Sequence, residues 1–297
     1  MADEYRRFWI TSSLETERER LLAEAFEAGA EGAEETEGRG NYRACIYAPA
    51  ATVEAIRERV SGLATPKTQI HDSEAIPDVD WSEAWKDGLE ALTISSRLIV
   101  RPPFVDVELE PDQQEVVIDP GQAFGTGGHA STRLCLEWID RLYAEAADRA
   151  RFDRVLDAGT GSGVLAFAAL KLGAKSAVGF DLDEVAIDAA RASARENGLA
   201  DQIELLATSI DDLGDPAVRF PLVVANLLKR EVLPIASDLV ARLETDGRLV
   251  LAGLLEEDGA EVFERFAKEG LVEAAKRRTI DDSTGTWIGL CLQRQSS

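Results

Sequence analysis

Over the first 71 residues, short apolar runs alternate with two amphipathic stretches. Apolar, β-prone runs predict strands, and stretches with apolar residues at helical spacing predict helices. The predicted elements are strands at 7–11, 30–35, 42–48 and 68–71, and helices that end at Gly29 and span 52–60. The order strand, helix, strand, strand, helix, strand is that of a ferredoxin-like α+β sandwich. We therefore expect a small ferredoxin-like domain over residues 1–71, with a role in binding.

Beyond residue 89, strands and helices alternate regularly. Strands are predicted at 98–101, 115–118, 154–158, 176–181, 203–207, 222–225 and 248–252, and helices at 131–143, 164–172, 184–197, 232–243 and 261–268. A terminal antiparallel hairpin is predicted near 272–279 and 287–292. Such alternation predicts a mostly parallel sheet with helices on both faces. The expected fold of residues 89–297 is a doubly wound α/β domain.

The segment between the two expected domains, residues 72–88, is predicted to be a linker with a short helix. Residues 72–80 contain Pro77 and several acidic residues, which disfavour regular structure. Trp81 and Trp85 are four residues apart and share one face of a helix. This spacing is typical of packing between domains.

Length and composition are those of a two-domain globular protein. The chain has 297 residues, of which 45% are hydrophobic, enough to bury two cores. It contains no apolar run of about 18 residues, and its first residues lack the order of a secretory signal. We expect a cytoplasmic monomer with no membrane partner. Cys45, Cys135 and Cys291 form no Cys-x-x-Cys pair, so we expect reduced core cysteines and no metal site.

The charge balance is strongly acidic. Asp and Glu number 55 and Lys and Arg 32, which gives a formal net charge of −23. This charge disfavours contact with a phosphate backbone, so no direct nucleic-acid partner is expected. Only seven of the basic residues are lysines, and acidic residues are spread from Asp3 to Asp282. Our hypothesis is that the protein works in a cytoplasm of high salt.

A glycine-rich turn follows a predicted strand and reads Asp157-x-Gly159-x-Gly161-x-Gly163. Glycines let the backbone approach a ligand, and the next helix offers unpaired N–H groups. A dinucleotide fingerprint would require glycine in place of Val164, so the spacing disfavours NAD. The turn instead resembles the first motif of S-adenosylmethionine-dependent enzymes, which makes Gly159 and Gly161 candidate cofactor-binding residues.

Asp181 ends the next predicted strand, 22 residues after Gly159. A carboxylate at this place can accept hydrogen bonds from both hydroxyls of a ribose in either class of nucleotide-binding enzyme. Asp181 therefore predicts an adenosine-like ligand without identifying it. Asp183 is predicted to cap the following helix.

Asn226 stands at the carboxyl end of a buried predicted strand, where ligands bind in open α/β sheets. In amino methyltransferases an Asn-Pro-Pro-Tyr-like segment at this place holds the target nitrogen, and here the segment is Asn-Leu-Leu-Lys. A neutral amide oxygen accepts an N–H without strongly favouring the ammonium form, as a carboxylate would. We predict that Asn226 is the catalytic residue.

A second glycine-rich stretch, residues 119–132, reads Asp-Pro-Gly-Gln-Ala-Phe-Gly-Thr-Gly-Gly-His-Ala-Ser-Thr. It lacks the Gly-Lys-Ser/Thr ending of a phosphate-binding loop and is predicted to be a flap over the cofactor. Together with Asp-Ala-Gly-Thr-Gly-Ser-Gly-Val-Leu-Ala at 157–166 and Val-Val-Ala-Asn-Leu-Leu at 223–228, it resembles the ribosomal protein L-eleven methyltransferase family. The likeness spans nearly the whole chain and is strongest from Trp81 to Leu228.

This resemblance implies a seven-stranded class I methyltransferase sheet, a small substrate-recognition domain and S-adenosyl-L-methionine as the cofactor. It implies cofactor contacts at Thr132, Gly159, Asp181 and Asn226. It also implies the substrate, ribosomal protein L-eleven, methylated on its α-amine and on lysines. The chain departs from the usual family residues in ways that affect loop shape more than chemistry, at Gly128, Ala130 and Thr160.

The sequence also leaves other acceptors open: a release-factor glutamine, RNA or a small amine. The missing Asn-Pro-Pro-Tyr form disfavours the first, and the acidity disfavours RNA. A non-enzymatic regulator that binds the cofactor is a further alternative, against which the predicted flap and Asn226 both speak. His129 matches the family pattern and is predicted to order the backbone rather than to transfer protons.

Overall fold

The structure is a computed structural model that describes residues 5–38, 41–76, 89–120, 129–144, 150–275, 278–282 and 285–295. Contacts divide the chain into two compact units, residues 1–88 and 89–297. The predicted pair Trp81 and Trp85 lies outside the described residues, as do residues 121–128 of the predicted flap.

An antiparallel sheet with two helices forms the first unit. Its elements are strands β1 (Tyr5–Ser12), β2 (Gly32–Gly38), β3 (Asn41–Pro49), β4 (Thr68–Ile70) and β5 (Glu74–Ala75), and helices α1 (Glu15–Glu27) and α2 (Val53–Leu63). The sheet order is β2-β3-β1-β4, and β5 also pairs with β1. Phe8, Ile10 and Ile46 of the central strands pack in one core with Leu21 of α1 and Ile56 of α2. Strand residues two apart and helix residues three to four apart thus share this core.

The short strand β5 corrects the expected boundary of this unit at residue 71. Glu74 and Ala75 pair antiparallel with Arg7 and Arg6 of β1, and the Arg7 Nε donates to Glu74 Oε1 at 2.8 Å. Composition alone predicted a linker here, but ion pairing and backbone hydrogen bonds attach the acidic stretch to the sheet. Within the described residues, the first unit extends to residue 76.

Strands and helices alternate through most of the second unit. Its strands are β6 (Leu92–Thr93), β7 (Leu98–Arg101), β8 (Gln114–Val117), β9 (Arg154–Ala158), β10 (Ser176–Asp181), β11 (Ile203–Ala207), β12 (Phe220–Asn226), β13 (Leu243–Leu255), β14 (Leu271–Glu273), β15 (Arg278–Asp282) and β16 (Gly285–Arg294). Its helices are α3 (Ala130–Leu142), α4 (Val164–Leu172), α5 (Glu184–Glu196), α6 (Lys229–Val232), α7 (Ala236–Ala241) and α8 (Glu256–Ala267). Strands β6, β7 and β8 form a small separate sheet.

The main sheet has the strand order β11-β10-β9-β12-β13-β16-β14. Strands β9 to β13 are parallel, and β16 is antiparallel to β13. The neighbouring residues Val223 and Val224 of β12 belong to different apolar clusters, as expected for a strand that is buried on both faces. The order of the strands reverses between β9 and β12, which opens a crevice at their carboxyl ends. This mixed α/β sheet has the predicted doubly wound arrangement.

The carboxyl-terminal part of the sheet differs from the expected hairpin. Among the described residues the sheet has eight strands rather than seven, because the region predicted as one strand near 272–279 contains both β14 and β15. Both pair with the same edge of the ten-residue β16, β14 opposite Gln293 and β15 opposite Ile288. The length of β16 accommodates the two strands in one row.

The helix predicted over 232–243 is wrong. The chain forms α6 and α7 instead, on either side of Pro234, and β13 already begins at Leu243. Proline has no N–H to donate, and its ring clashes with the carbonyl of the preceding turn. A continuous helix through residue 234 is therefore disfavoured.

Two further expectations concern the cysteines and the membrane. Cys45, Cys135 and Cys291 are buried and unpaired, as predicted. Within the described residues, no helix has both the length and the apolar character needed to cross a membrane.

Candidate active site

Three glycines shape the turn between β9 and α4. Gly159, Gly161 and Gly163 have φ angles of +68°, +52° and +85°, a conformation that residues with a Cβ rarely adopt. The N–H groups of Gly159 and Thr160 both donate to the carbonyl of Phe180 at 2.9 Å. These bonds hold the turn against the end of β10.

Asp181 holds the same turn with its side chain. Its carboxylate accepts from the N–H of Gly161 at 3.0 Å and from that of Asp183 at 3.1 Å. A carboxylate offers about four acceptor positions, so others remain for a ligand. Asp183 accepts from the Val185 N–H at 2.9 Å, which confirms its predicted role as the cap of α5.

Asn226 and Thr132 are 94 residues apart in sequence and are joined by a side-chain hydrogen bond. The Asn226 Nδ2 donates to the Thr132 Oγ1 at 3.1 Å, and Thr132 is fully buried in the first turn of α3. The Asn226 Oδ1 is buried and has no hydrogen-bond donor among the described residues. Buried amide oxygens are normally paired, so this oxygen is suited to accept an N–H from a ligand.

One cavity of about 780 Å³ collects the residues that the sequence singled out. Its volume is typical of small-molecule sites, and it lies at the carboxyl ends of β9, β10 and β12. The predicted site residues that line it are Thr132, Gly159, Gly161, Asp181 and Asn226. The fold thus brings all five together.

Sequence reasoning missed several other lining residues. Ser209 and Asp211 follow β11, and Leu182 follows β10 with 80% of its surface exposed. These residues follow parallel strands and lie at the same edge of the sheet as Gly159, a position that could have indicated a place in the site. Trp287 reaches the cavity from β16, and no local pattern in the sequence indicates this.

Asp157, the first residue of the glycine motif, is fully buried beneath the turn. Its Oδ2 accepts from the Thr160 hydroxyl at 2.9 Å and from the Ala166 N–H at 3.1 Å. Its Oδ1 has no partner in the described part of the chain. Burial raises the pKa of this carboxyl to about 7; the two hydrogen bonds oppose the shift, and the charge of Asp181 adds to it. Asp157 therefore braces the turn from inside the protein.

His129 orders the start of α3. Its Nδ1 accepts from the Ser131 N–H at 3.3 Å and lies 2.8 Å from the Ser131 Oγ. Its ring meets the Trp287 ring edge-on, with 4.5 Å between centroids and 77° between planes. The predicted role of His129 in ordering the backbone is confirmed by this capping.

Comparison with known proteins identifies the family. The sequence model described as "Ribosomal protein L11 methyltransferase (PrmA)" matches residues 12–294. The chain belongs to this family. A ribosomal protein L11 methyltransferase of Syntrophotalea carbinolica is 40% identical over 217 residues, 73% of this chain and 67% of that protein. One from Pseudomonas fluorescens strain Pf0-1 is 40% identical over 220 residues, 74% of this chain and 71% of that protein.

A solved structure shares the fold of the L11 methyltransferase family member described here. It is the ribosomal protein L11 methylase of Lactobacillus delbrueckii subsp. bulgaricus, 30% identical, with a TM-score of 0.60. The match covers 70% of this chain and all of that one. The family resemblance predicted from the sequence is thereby confirmed.

The cavity of this L11 methyltransferase family member contains groups that are suited to binding and orientation. Within the described residues, no group of three or more His, Cys, Asp or Glu side chains could hold a metal ion. The residues that line the cavity include two glycines of the turn, the acidic Asp181 and the amide residue Asn226. Such a site suits a nucleoside cofactor and a nitrogen nucleophile.

Proposed function

We propose that this chain transfers methyl groups from S-adenosyl-L-methionine to amines of ribosomal protein L11. The observation that carries the proposal is the buried Oδ1 of Asn226, which has no donor among the described residues and belongs to a residue that lines the same cavity as the glycine turn. Membership of the L11 methyltransferase family supports both the reaction and the substrate.

The residues of the cavity fit the cofactor. The remaining acceptor positions of Asp181 suit the two ribose hydroxyls, and Gly159 and Gly161 let the backbone approach the methionine moiety. Leu182 and Ile210, which also line the cavity, suit the flat apolar surface of an adenine ring. When bound, the cofactor supplies a methyl group on a sulfonium, already activated for in-line displacement.

The protein's own task is to align an unprotonated amine. An ammonium has no lone pair, and deprotonating a lysine of pKa about 10.4 at pH 7 costs roughly 4 to 5 kcal/mol. An α-amine of pKa about 7.8 costs about 1 kcal/mol, so the α-amine is the easier acceptor. Asn226 accepts one amine N–H without strongly stabilising the charged form. It thereby directs the lone pair of the nitrogen toward the glycine turn, residues 159–163, which we call the cofactor turn.

We also propose that the first unit is a ferredoxin-like domain that recognises the protein substrate. Its antiparallel sheet order β2-β3-β1-β4 and its two helices support this, and among the described residues its core shares no member with the cores of the second unit. Residues 72–76 of the linker predicted at 72–88 belong to this unit. A chain that starts at residue 89 should keep its affinity for S-adenosylmethionine and lose methylation of L11; retained methylation would contradict this division.

The setting that we propose is a cytoplasmic monomer without a direct nucleic-acid or membrane partner. The net charge of −23 supports the absence of a nucleic-acid partner, and a ribosomal protein substrate supports the cytoplasm.

The deciding experiment offers labelled S-adenosylmethionine and a crude ribosomal protein fraction to the enzyme. We expect label on L11, and on its α-amine before its lysines at neutral pH. Label confined to RNA, to a release factor or to a small amine would replace the proposed acceptor. Tight cofactor binding with no transfer to any acceptor would favour the regulator instead.

A further inference from the structure

Leu227, the residue after Asn226, lies between Gly159 of the turn after β9 and Gly253 of strand β13. A Cβ built on Gly159 would lie 2.5 Å from the Leu227 Cδ2, and a Cβ built on Gly253 would lie 2.5 Å from the Leu227 carbonyl oxygen. Both values are far below the ordinary carbon contact of about 3.5 to 4.0 Å. The side chain of Leu227 therefore touches the cofactor turn, and its peptide touches β13.

These contacts hold the end of β12 on two sides. The Leu227 N–H donates to the Ala252 carbonyl at 3.2 Å, next to Gly253. Gly253 has a φ of +81°, and its missing side chain leaves the space that the Leu227 peptide fills. A proline after Asn226 would fix the backbone φ angle through its ring, but leucine does not. The position of the Leu227 peptide therefore depends on packing.

We propose that Leu227 is a positioning residue that fixes the distance between the Asn226 amide oxygen and the cofactor turn, and that Gly159 and Gly253 are glycines because they admit it. This inference rests on the proposed function, since it concerns the alignment of the acceptor amine. It assigns Leu227 no contact with the reacting atoms. It acts through Asn226, whose peptide it shares.

Gly253→Ala tests the backbone contact. The new methyl group must displace the Leu227 peptide by on the order of 1 Å to reach an ordinary contact distance, and a displacement of that size can cost about 100-fold in rate. We expect kcat for L11 methylation to fall about 100-fold. The affinity for S-adenosylmethionine, measured by equilibrium dialysis, should stay within about threefold, because the three atoms nearest to the new methyl group all belong to the Leu227 backbone.

The chain provides matched controls for backbone strain. Gly270 has a φ of +82°, close to that of Gly253, and nothing lies within 4 Å of its Cβ position. Gly198 has the same φ of +68° as Gly159 and is equally open. Gly270→Ala and Gly198→Ala therefore introduce the same strain without the contact, and both should keep kcat within about twofold of wild type. An equal loss of kcat in Gly270→Ala and Gly253→Ala would overturn the proposal.

Combination with Leu227→Ala separates the two contacts. The Gly159 contact is with the Leu227 side chain. We therefore expect kcat of the double variant Gly159→Ala/Leu227→Ala to be about tenfold higher than kcat of Gly159→Ala alone. The Gly253 contact is with backbone, so Leu227→Ala should restore nothing to Gly253→Ala. Leu227→Ala alone, which creates no clash, should lower kcat about tenfold. Rescue of both glycine variants, rescue of neither, or wild-type kcat in Leu227→Ala alone would each overturn the proposal.

Two readouts separate this inference from the proposed function. Wild-type enzyme that leaves L11 unlabelled would contradict the function. The coupling between Gly159→Ala and Leu227→Ala is then measured in the urea midpoint of unfolding, which needs no acceptor. A non-additive pair supports the contact, and strictly additive midpoints would overturn it.

Discussion

At the residue scale, the orientation of one amide decides what the cavity can accept. The Thr132 Oγ1 accepts a hydrogen bond from the Asn226 Nδ2, and the Asn226 Oδ1 is buried without a donor among the described residues. An amide in the opposite orientation would present N–H groups, which cannot hold an amine through its own N–H. In the observed orientation the amide Nδ2 is bound by a threonine 94 residues away in sequence, and the oxygen is the group left for a ligand.

Replacement of Asn226 should separate catalysis from cofactor binding. Asn226→Ala removes the acceptor, and we expect kcat to fall by about 100-fold or more, the cost of losing one well-placed polar group in an active site. The affinity for S-adenosylmethionine should fall much less. Asn226→Asp should retain more activity but need a higher pH, because a carboxylate stabilises the ammonium form. Methylation of L11 measured from pH 6 to 10 checks both; near-normal turnover in Asn226→Ala would remove this residue from the mechanism.

Thr132 should be needed for its hydroxyl. Thr132→Val keeps the shape and removes the acceptor of Asn226 Nδ2, so the amide loses its fixed orientation; we expect about a tenfold loss of kcat, close to the roughly 1.5 kcal/mol of one hydrogen bond. Thr132→Ser keeps the hydroxyl and is the matched control. Steady-state kinetics with L11 compare the two, and equal kcat values would contradict this role.

Asp157 should make stability depend on pH in a distinctive way. Burial raises its pKa from the ordinary 3.8 to about 7, so between those values the folded chain keeps a proton that the unfolded chain has lost. The contribution of neutral Asp157 to stability is complete below about pH 4 and is lost as the pH rises through 7, by roughly 4 kcal/mol at most. Asp157→Asn lacks this loss. Urea unfolding of both proteins from pH 4 to 8 should give a difference that changes with pH, and a constant difference would argue against the burial effect.

At the element scale, the prediction succeeded where the chain pattern is local. Strands β9, β10 and β11 lie at their predicted bounds, because short, mainly apolar stretches between turn residues are a strong signal. The helix predicted over 232–243 is wrong because Pro234 interrupts a stretch whose apolar spacing is otherwise helical. Strand β5 failed because its pairing with Arg6 and Arg7 is nonlocal.

The candidate site, like the fold, was predictable where its residues follow local patterns in the sequence. Gly159, Gly161, Asp181 and Asn226 stand at the ends of predicted parallel strands, so topology alone brings them to one edge. Trp287 and the contact between Leu227 and Gly253 depend on the antiparallel β16 and on the packing of β13. The spacing of residues along the sequence does not predict contacts of this kind between distant segments.

A cap at the start of α5 should affect stability without affecting the ligand. Asp183→Ala removes the acceptor for the Val185 N–H, and we expect a loss of about 1 kcal/mol in the free energy of unfolding. Affinity for S-adenosylmethionine should not change. Asp181→Ala, two residues earlier, should weaken that affinity more than tenfold. Urea unfolding and equilibrium dialysis on both variants check this pair, and an equal loss of affinity would contradict the separate roles.

At the scale of the whole molecule, the net charge of −23 dominates. Like charges spread over the chain repel in the folded state, and at 1 M salt the Debye length falls to about 3 Å, which screens that repulsion. The same screening would suppress long-range attraction of a basic substrate. Under the high-salt hypothesis the acidity would therefore not act through steering of the substrate.

Stability should accordingly rise with potassium chloride. We expect the free energy of unfolding to increase from dilute buffer to about 1 M salt, because repulsion is screened over this range. Urea titrations at several salt concentrations measure it, and a sorbitol series of equal osmolality controls for water activity. A protein that is most stable in dilute buffer would refute the high-salt hypothesis.

The separate apolar cores of the two units bear on how the chain melts. In the part of the chain that the structure describes, the core that contains Phe8 and Ile46 shares no residue with the clusters on the main sheet. Proteins with more than one domain commonly depart from all-or-none unfolding. Scanning calorimetry should then give an enthalpy larger than the van't Hoff value. Cofactor binding at the cavity stabilises only the unit that binds it. In one heating scan the transition of residues 89–297 moves upward with added S-adenosylmethionine, and the melting of the first unit provides an internal reference in the same sample.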